Sequence, residues 1–244
     1  MSKNIVLMYH DIVTTIDNKT GFQNPSAFQY KVDVAKFEEQ VKAAQGTNTI
    51  FTFDDGGVSF YTEAAPILEK YGKKGIFFIS TKYLNTPGFL ASEQVKSLDS
   101  RGHVIGSHSH SHPTNMSMLN KSEILFEWKE SVHILSELLG HPVTIASIPN
   151  GYDSNEIIDA ACKVGIIELH TSKPIDNEKW HNGCKLVGRY VVHENMTNEY
   201  VRKLLINSYI RKGIYWRWLL VSIVKKILGN KYDKVKMLLL RRKV

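Results

Sequence analysis

Two adjacent acids, Asp54 and Asp55, end the apolar run Thr49-Ile50-Phe51-Thr52-Phe53 and are followed by Gly56-Gly57. Further along stands Gly106-Ser107-His108-Ser109-His110-Ser111-His112-Pro113. Carboxylates and imidazoles at the exits of predicted strands are the donors of a divalent metal site. One carboxylate and two imidazoles would bind the ion and the second carboxylate would stay free as a base. Four-residue spacing puts His108 and His112 on one face of a helical turn, whereas two-residue spacing puts His110 beside either of them along a strand. Which two bind is therefore open at this level. Asp and Gly also dominate ordinary turns for backbone reasons, so the acids gain meaning only from what shares their edge.

Short β-branched or aromatic runs alternate with amphipathic, helix-length stretches, the pattern of a parallel sheet or barrel wrapped by helices. Strands are predicted at Ile5–Tyr9, Thr49–Phe53, Gly75–Ser80, Val104–Ser107, Thr144–Ile148, Ile166–Thr171 and Lys185–Val192. Helices are predicted at Ala35–Gln45, Tyr61–Tyr71, Ser92–Arg101, Lys121–Leu139, Ser154–Val164 and Asn198–Ser208. The polar stretch 14–34 reads as a loop at the mouth of the fold. In parallel α/β folds, side chains at the carboxyl ends of strands converge on one face. His10, Asp54, Asp55, His108, His112 and Pro149-Asn150-Gly151 all fall at such ends.

The 244 residues, 43% hydrophobic, are enough for one large α/β domain. Cys162 and Cys184 lie in no metal-type or CxxC spacing, so no disulfide framework or thiol metal site is expected. The opening Met1-Ser2-Lys3-Asn4 runs directly into Ile5–Tyr9 without a signal-peptide core, which sets a cytoplasmic expectation. The net charge of +7 is unevenly spread: residues 201–244 hold 13 Lys and Arg against Asp233 alone, so the body is acidic and the tail basic.

The motifs resemble those of the polysaccharide deacetylases, carbohydrate esterase family four. Thr52-Phe53-Asp54-Asp55-Gly56 is similar to the first motif, His108-Ser109-His110-Ser111-His112 to the second and Pro149-Asn150-Gly151 to a remnant of the third. The resemblance spans roughly residues 5–192 and implies a distorted (β/α)7 barrel. It implies Asp54 as general base and Asp55, His108 and His112 as ligands of a divalent metal. Zinc is the leading expectation, and cobalt, nickel, manganese or iron also suit these donors. Two positions depart from the pattern. Ser147 stands where the family often has an arginine that orients the base, which makes Arg189 the candidate replacement. Residues 201–244 contain no histidine for the closing Leu-x-His motif. Leu7-Met8-Tyr9-His10 resembles that motif moved to the front, as in circularly permuted members, so the general acid is assigned to His10, with His193 as second choice.

The implied reaction is hydrolysis of an N-acetyl group on a sugar during surface-glycan synthesis, with the oxyanion held by the metal and a backbone N–H near Asn150. A catalytically idle glycan-binding protein, an O-deacetylase and another amidohydrolase are the competing readings. Trp180, in an irregular stretch, is left out of the site as a packing residue. Residues 1–200 would form the catalytic domain and 201–244 a basic amphipathic helical extension. Its segment 209–244 could lie on an anionic membrane surface or dock on the domain, and nothing in it resembles a nucleic-acid recognition module.

Overall fold

The computed structural model describes residues 4–14 and 19–228. The chain opens with β1 (Ile5–Tyr9), β2 (Ile12–Val13), the short helix α1 (Pro25–Phe28), β3 (Val32–Asp33) and α2 (Val34–Ala43). Strand β4 (Thr49–Phe53), helix α3 (Ala65–Lys70), β5 (Gly75–Ile79), α4 (Ser92–Ser100) and β6 (Val104–Ser107) follow. The second half holds α5 (Lys121–Leu139), β7 (Ile145–Ser147), α6 (Asn155–Lys163), β8 (Glu168–His170), β9 (Lys179–His181), β10 (Cys184–Val187), β11 (Tyr190–Val191), α7 (Asn198–Ile206) and α8 (Ser208–Leu228).

Nine strands form one sheet in the order β11-β1-β4-β5-β6-β7-β8-β10-β9, parallel throughout except for the β9–β10 hairpin. The predicted strand Lys185–Val192 is in fact two strands, broken at Gly188-Arg189. Strand β10 pairs with β8, whereas β11 pairs with β1 at the other end of the sheet. A few residues span only about 3.5 Å each, so the two ends of the sheet must stand side by side. The curled sheet is thus a distorted barrel, with Arg189 in its seam. A side chain at Gly188 would run into Ile175 and the backbone oxygens of Ile175 and Lys173, all within 2.6 Å of a built Cβ. This close approach accounts for the glycine at the break.

Alternation along the strands sorts the side chains. Phe51 and Phe53 of β4 and Phe77 of β5 point outward, where they join Tyr9, Phe37 and Phe60 beneath α2 and α3. Burying an aromatic or large aliphatic side chain contributes roughly 1.5–3 kcal/mol, so this cluster fixes the register of the strands that carry the site. Thr52 and Phe78 occupy the opposite, interior face with Arg189, which lies over the Phe78 ring at 5.4 Å. A second cluster, Trp128 with Ile157, Ile158, Ala161 and Leu169, seats α5 and α6 against β7 and β8. Helix α5 starts with an Asn120–Glu123 capping box and ends at left-handed Gly140. Helix α7 packs Val201, Leu204 and Leu205 into the main core. Cys162 and Cys184 are free thiols.

The segment 14–34, expected as a mouth loop, contains α1 and the short strand β3, which pairs with β2 just before the segment. It is tied down by the buried carboxylate of Asp11, which accepts from Thr20 Oγ1 at 2.8 Å and Ser59 Oγ at 3.1 Å and faces Lys31 Nζ at 3.5 Å. A Cβ at Gly57 would sit 2.1 Å from the same carboxylate. The second glycine after the acid pair is therefore needed to let the mouth segment close.

Candidate active site

Asp54 and Asp55 follow β4 directly, and Asp55 takes a left-handed backbone, φ 88°. That conformation costs a non-glycine residue about 1–3 kcal/mol and is found where surrounding structure enforces it. It sends consecutive carboxylates to different partners. Asp55 faces His108 Nε2 at 3.4 Å and His112 Nε2 at 3.2 Å, and the three donor atoms lie within 4.8 Å of one another. Asp54 instead meets Arg189 in a two-pronged ion pair: Nη1 donates to Oδ1 at 2.6 Å and Nη2 to Oδ2 at 2.7 Å.

The histidine loop after β6 is held from behind. Glu127 of α5 accepts from the backbone N–H groups of His110 and Ser111 at 3.0 and 2.8 Å. His112 adopts φ 54° and donates its own N–H to Ser109 Oγ at 3.1 Å. These bonds bring His108 and His112 together, ring centroids 5.1 Å apart. His110 turns the other way, onto Thr81 Oγ1 at 2.9 Å and the edge of Phe126. The ambiguity among the three histidines is resolved by where this loop is pinned.

The donor set suits a divalent ion. His108 Nδ1 lies 2.6 Å from Ser147 Oγ and 3.1 Å from the Ser147 carbonyl oxygen. An Nδ1–H donating there leaves the Nε2 lone pair facing Asp55, the outer arrangement a ligating imidazole needs. Two nitrogens and one carboxylate oxygen match zinc and its neighbours in the first transition row.

Electrostatics keep both acids ionised, through different partners. Burial acts to raise the Asp54 carboxyl, but the charge of Arg189 and the neighbouring His108 outweigh it and hold the group at about 2. Asp55 is likewise pushed up by burial and drawn well below the ordinary range by the facing imidazoles of His108 and His112. Burial lowers His112, yet its bond to Asp55 leaves it raised on balance. Both carboxylates are thus anions at neutral pH.

His10, just past β1, lines the same cleft as Asp54, Asp55, His108, His112 and Asn150. Its ring stacks on Tyr30 at 4.4 Å, and its buried Nδ1 has no hydrogen-bond partner among the described residues. The His193 ring packs tilted against Tyr30, at 5.0 Å, but does not line the cleft. Asn150, with φ 55°, also lines the cleft and donates its side-chain amide to the Pro113 carbonyl at 3.2 Å, tying its turn to the histidine loop. Trp180 lies on β9, 70% exposed, away from the cleft.

Sequence reasoning missed Tyr30, Phe22 and Glu127. Phe22 packs 4.9 Å from the His112 ring and forms part of the cleft wall. Phe22 and Tyr30 sit in the irregular mouth segment, where no periodicity marks them, and Glu127 looks like any solvated acid on a long helix.

A sequence model described as polysaccharide deacetylase matches residues 42–168, more than half of the chain. The chain belongs to the polysaccharide deacetylase family. The match includes Asp54, Asp55, His108, His112 and Asn150, while His10 and Arg189 lie outside it. The YxkH protein of Bacillus subtilis is 31% identical over 125 residues, which cover 51% of this chain and 44% of YxkH. A chitin deacetylase of Arthroderma benhamiae is 33% identical over 89 residues, 36% of this chain and 23% of that protein. The chain thus spans less than half the length of these relatives.

Two solved structures have the same fold. The deacetylase PplD of Streptococcus pyogenes, in complex with acetate, matches with a TM-score of 0.66 at 21% identity, covering 84% of this chain and 98% of PplD. IcaB from Ammonifex degensii matches with a TM-score of 0.68 at 18% identity, covering 83% of this chain and 96% of IcaB. This family member therefore shares the fold of those structures, and the partner of Asp54, Arg189, comes from the barrel seam.

Proposed function

We propose that the protein is a metal-dependent N-deacetylase acting on an N-acetylated sugar in surface-glycan assembly. One observation carries the reading: Asp54 is clamped by Arg189 and left outside the Asp55–His108–His112 trio, so a base and a ligand set stand side by side without sharing a carboxylate. Family membership and a chitin deacetylase among the relatives support a sugar amide as the bond cut.

Asp55, His108 and His112 would hold the ion. When bound, a divalent cation supplies Lewis acidity that polarises the acyl oxygen and acidifies water. Asp54 accepts the proton of the attacking water. Arg189 occupies the carboxylate edge away from the cleft and keeps the base ionised and aimed. A backbone N–H at the Asn150 turn is assigned to the oxyanion. His10, held by the Tyr30 ring, delivers a proton to the departing nitrogen, because an amine leaves an amide readily only when protonated as the bond breaks. Strand β1 lies between β11 and β4, so the first strand brings the acid, in keeping with a permuted order. With base, ligands and acid all retained, an idle binding role is the poorer account.

The exposed face of α8 carries Tyr209, Trp216, Leu220 and Ile223 with Lys212. This suits contact with an anionic membrane surface. No described helix is long and apolar enough to cross a membrane. Residues 229–244, the rest of the expected basic extension, lie outside the described residues.

The test is acetate release from a panel of N-acetylated oligosaccharides and sugar nucleotides, with and without chelator, for wild type and Asp54→Asn. Release that needs the metal and is lost in Asp54→Asn supports the reading. Release indifferent to both refutes it.

A further inference from the structure

A cavity of about 780 Å³ lies between α8 and the barrel seam, within the ~300–1,000 Å³ range of ligand-sized pockets. Ser172 and Val191 line both this cavity and the catalytic cleft, so the two are contiguous. The lining is mainly apolar, with Met196, Leu204, Ile210, Ile214, Trp218 and Val221 supplied by α7, α8 and the segment before them.

Two residues of α8 give the cavity a chemical bias. Arg217 lines it and has no ion-pair or hydrogen-bond partner among the described residues, in contrast to Arg211, which is bound to Asp176 at 3.0 Å. Glu194, the one carboxylate on the lining, belongs to the segment after β11 rather than to α8. Gly213 stands in the helix interior, where glycine costs about 1 kcal/mol relative to alanine. A Cβ there would meet nothing within 4 Å, so a larger side chain has room at this edge of the cavity. On its other face α8 exposes Trp216 at 60% and Leu220 at 63%, an apolar surface beside the cavity.

We propose that this cavity binds the carrier of a lipid-linked sugar, a hydrocarbon chain joined to the sugar through phosphate. The chain would lie along α7 and α8, the phosphate would meet Arg217, and the N-acetyl group would reach the cleft past Ser172 and Val191. This inference rests on the deacetylase reading and names its substrate class.

The test titrates decyl phosphate, below its micelle concentration, into the full-length protein, with decanol and N-acetylglucosamine 1-phosphate as chain-only and phosphate-only probes. The expected result is saturable binding of decyl phosphate that Gly213→Phe weakens at least about tenfold by filling the cavity. Arg217→Gln would remove the preference for decyl phosphate over decanol while leaving decanol binding as it was. Both variants should release acetate from short, soluble N-acetylated oligosaccharides at the wild-type rate. Binding unchanged in Gly213→Phe would locate the chain on the outer face of α8 and overturn the proposal, as would the absence of saturable binding by wild type. Alkyl phosphate binding as expected, with no acetate release from any N-acetylated sugar, would instead overturn the deacetylase reading.

Discussion

Ser147 Oγ lies 2.6 Å from His108 Nδ1 and also donates to Asp54 Oδ1 at 3.2 Å. One hydroxyl thus links the ring of a candidate ligand to the candidate base. Ser147→Ala is expected to weaken zinc binding about tenfold, the usual scale for losing an outer-shell partner, and to lower kcat more than it changes KM. Ser147→Thr, which keeps the hydroxyl, should recover most of both. Competition with a chromophoric chelator measures the affinity, and equal affinities for wild type and Ser147→Ala would rule the link out.

Arg189 is fully buried and satisfies both oxygens of Asp54. Arg189→Met leaves that carboxylate buried without its counter-ion, and the expected loss of stability is about 3–5 kcal/mol, read from urea unfolding. Arg189→Lys keeps the charge but not the fork. It should fold and show a large fall in kcat, and a fully active Arg189→Lys enzyme would show that the two-pronged geometry is dispensable.

If His10 protonates the departing nitrogen, its importance must depend on the leaving group. His10→Gln is expected to slow amide hydrolysis by about 10²–10⁴-fold and to affect an activated aryl acetate far less, since that leaving group departs without a proton. Equal losses on both substrates would point to a structural role.

Glu168 offers a pH test away from the cleft. Burial works to raise this carboxyl, but hydrogen bonds from His170 and Lys185, each 2.8 Å, hold it at about 2. Because the folded value is depressed, the stabilisation is complete above the unfolded carboxyl value and is lost as pH falls from there through about 2. With allowance for solvent screening it amounts to about 1 kcal/mol. Glu168→Gln should therefore be less stable than wild type at pH 7, and the gap should close on acidification. Melting temperatures at pH 7, 4.5 and 3 would show whether it does.

Much of this arrangement was legible in the chain itself. The runs Thr49–Phe53 and Val104–Ser107 appear as β4 and β6 with the predicted limits, because alternation and β-branched residues mark them and aromatic packing holds them in register. The placement of His10, Asp54, Asp55, His108, His112 and Asn150 on one edge follows from that parallel order. The split of Lys185–Val192 was not legible. A continuous apolar run records that a segment is extended but not which neighbour it pairs with, and the steric reason for the break lies in Ile175 and Lys173, brought against Gly188 only by the fold. The segment Tyr61–Tyr71 likewise begins as a wide π turn, Phe60–Ala64, before α3. Helical periodicity does not distinguish the two over so short a stretch.

The seam has a consequence for the order in which the site is made. Asp55, His108 and His112 have all been synthesised by position 112, whereas Arg189, the counter-ion of Asp54, arrives on the link between β10 and β11. A nascent chain could gather its cation early and still lack an oriented base until the ring of strands shuts. On the proposed reading, hydrolytic competence would therefore belong to the finished circle and be withheld from shorter translation intermediates.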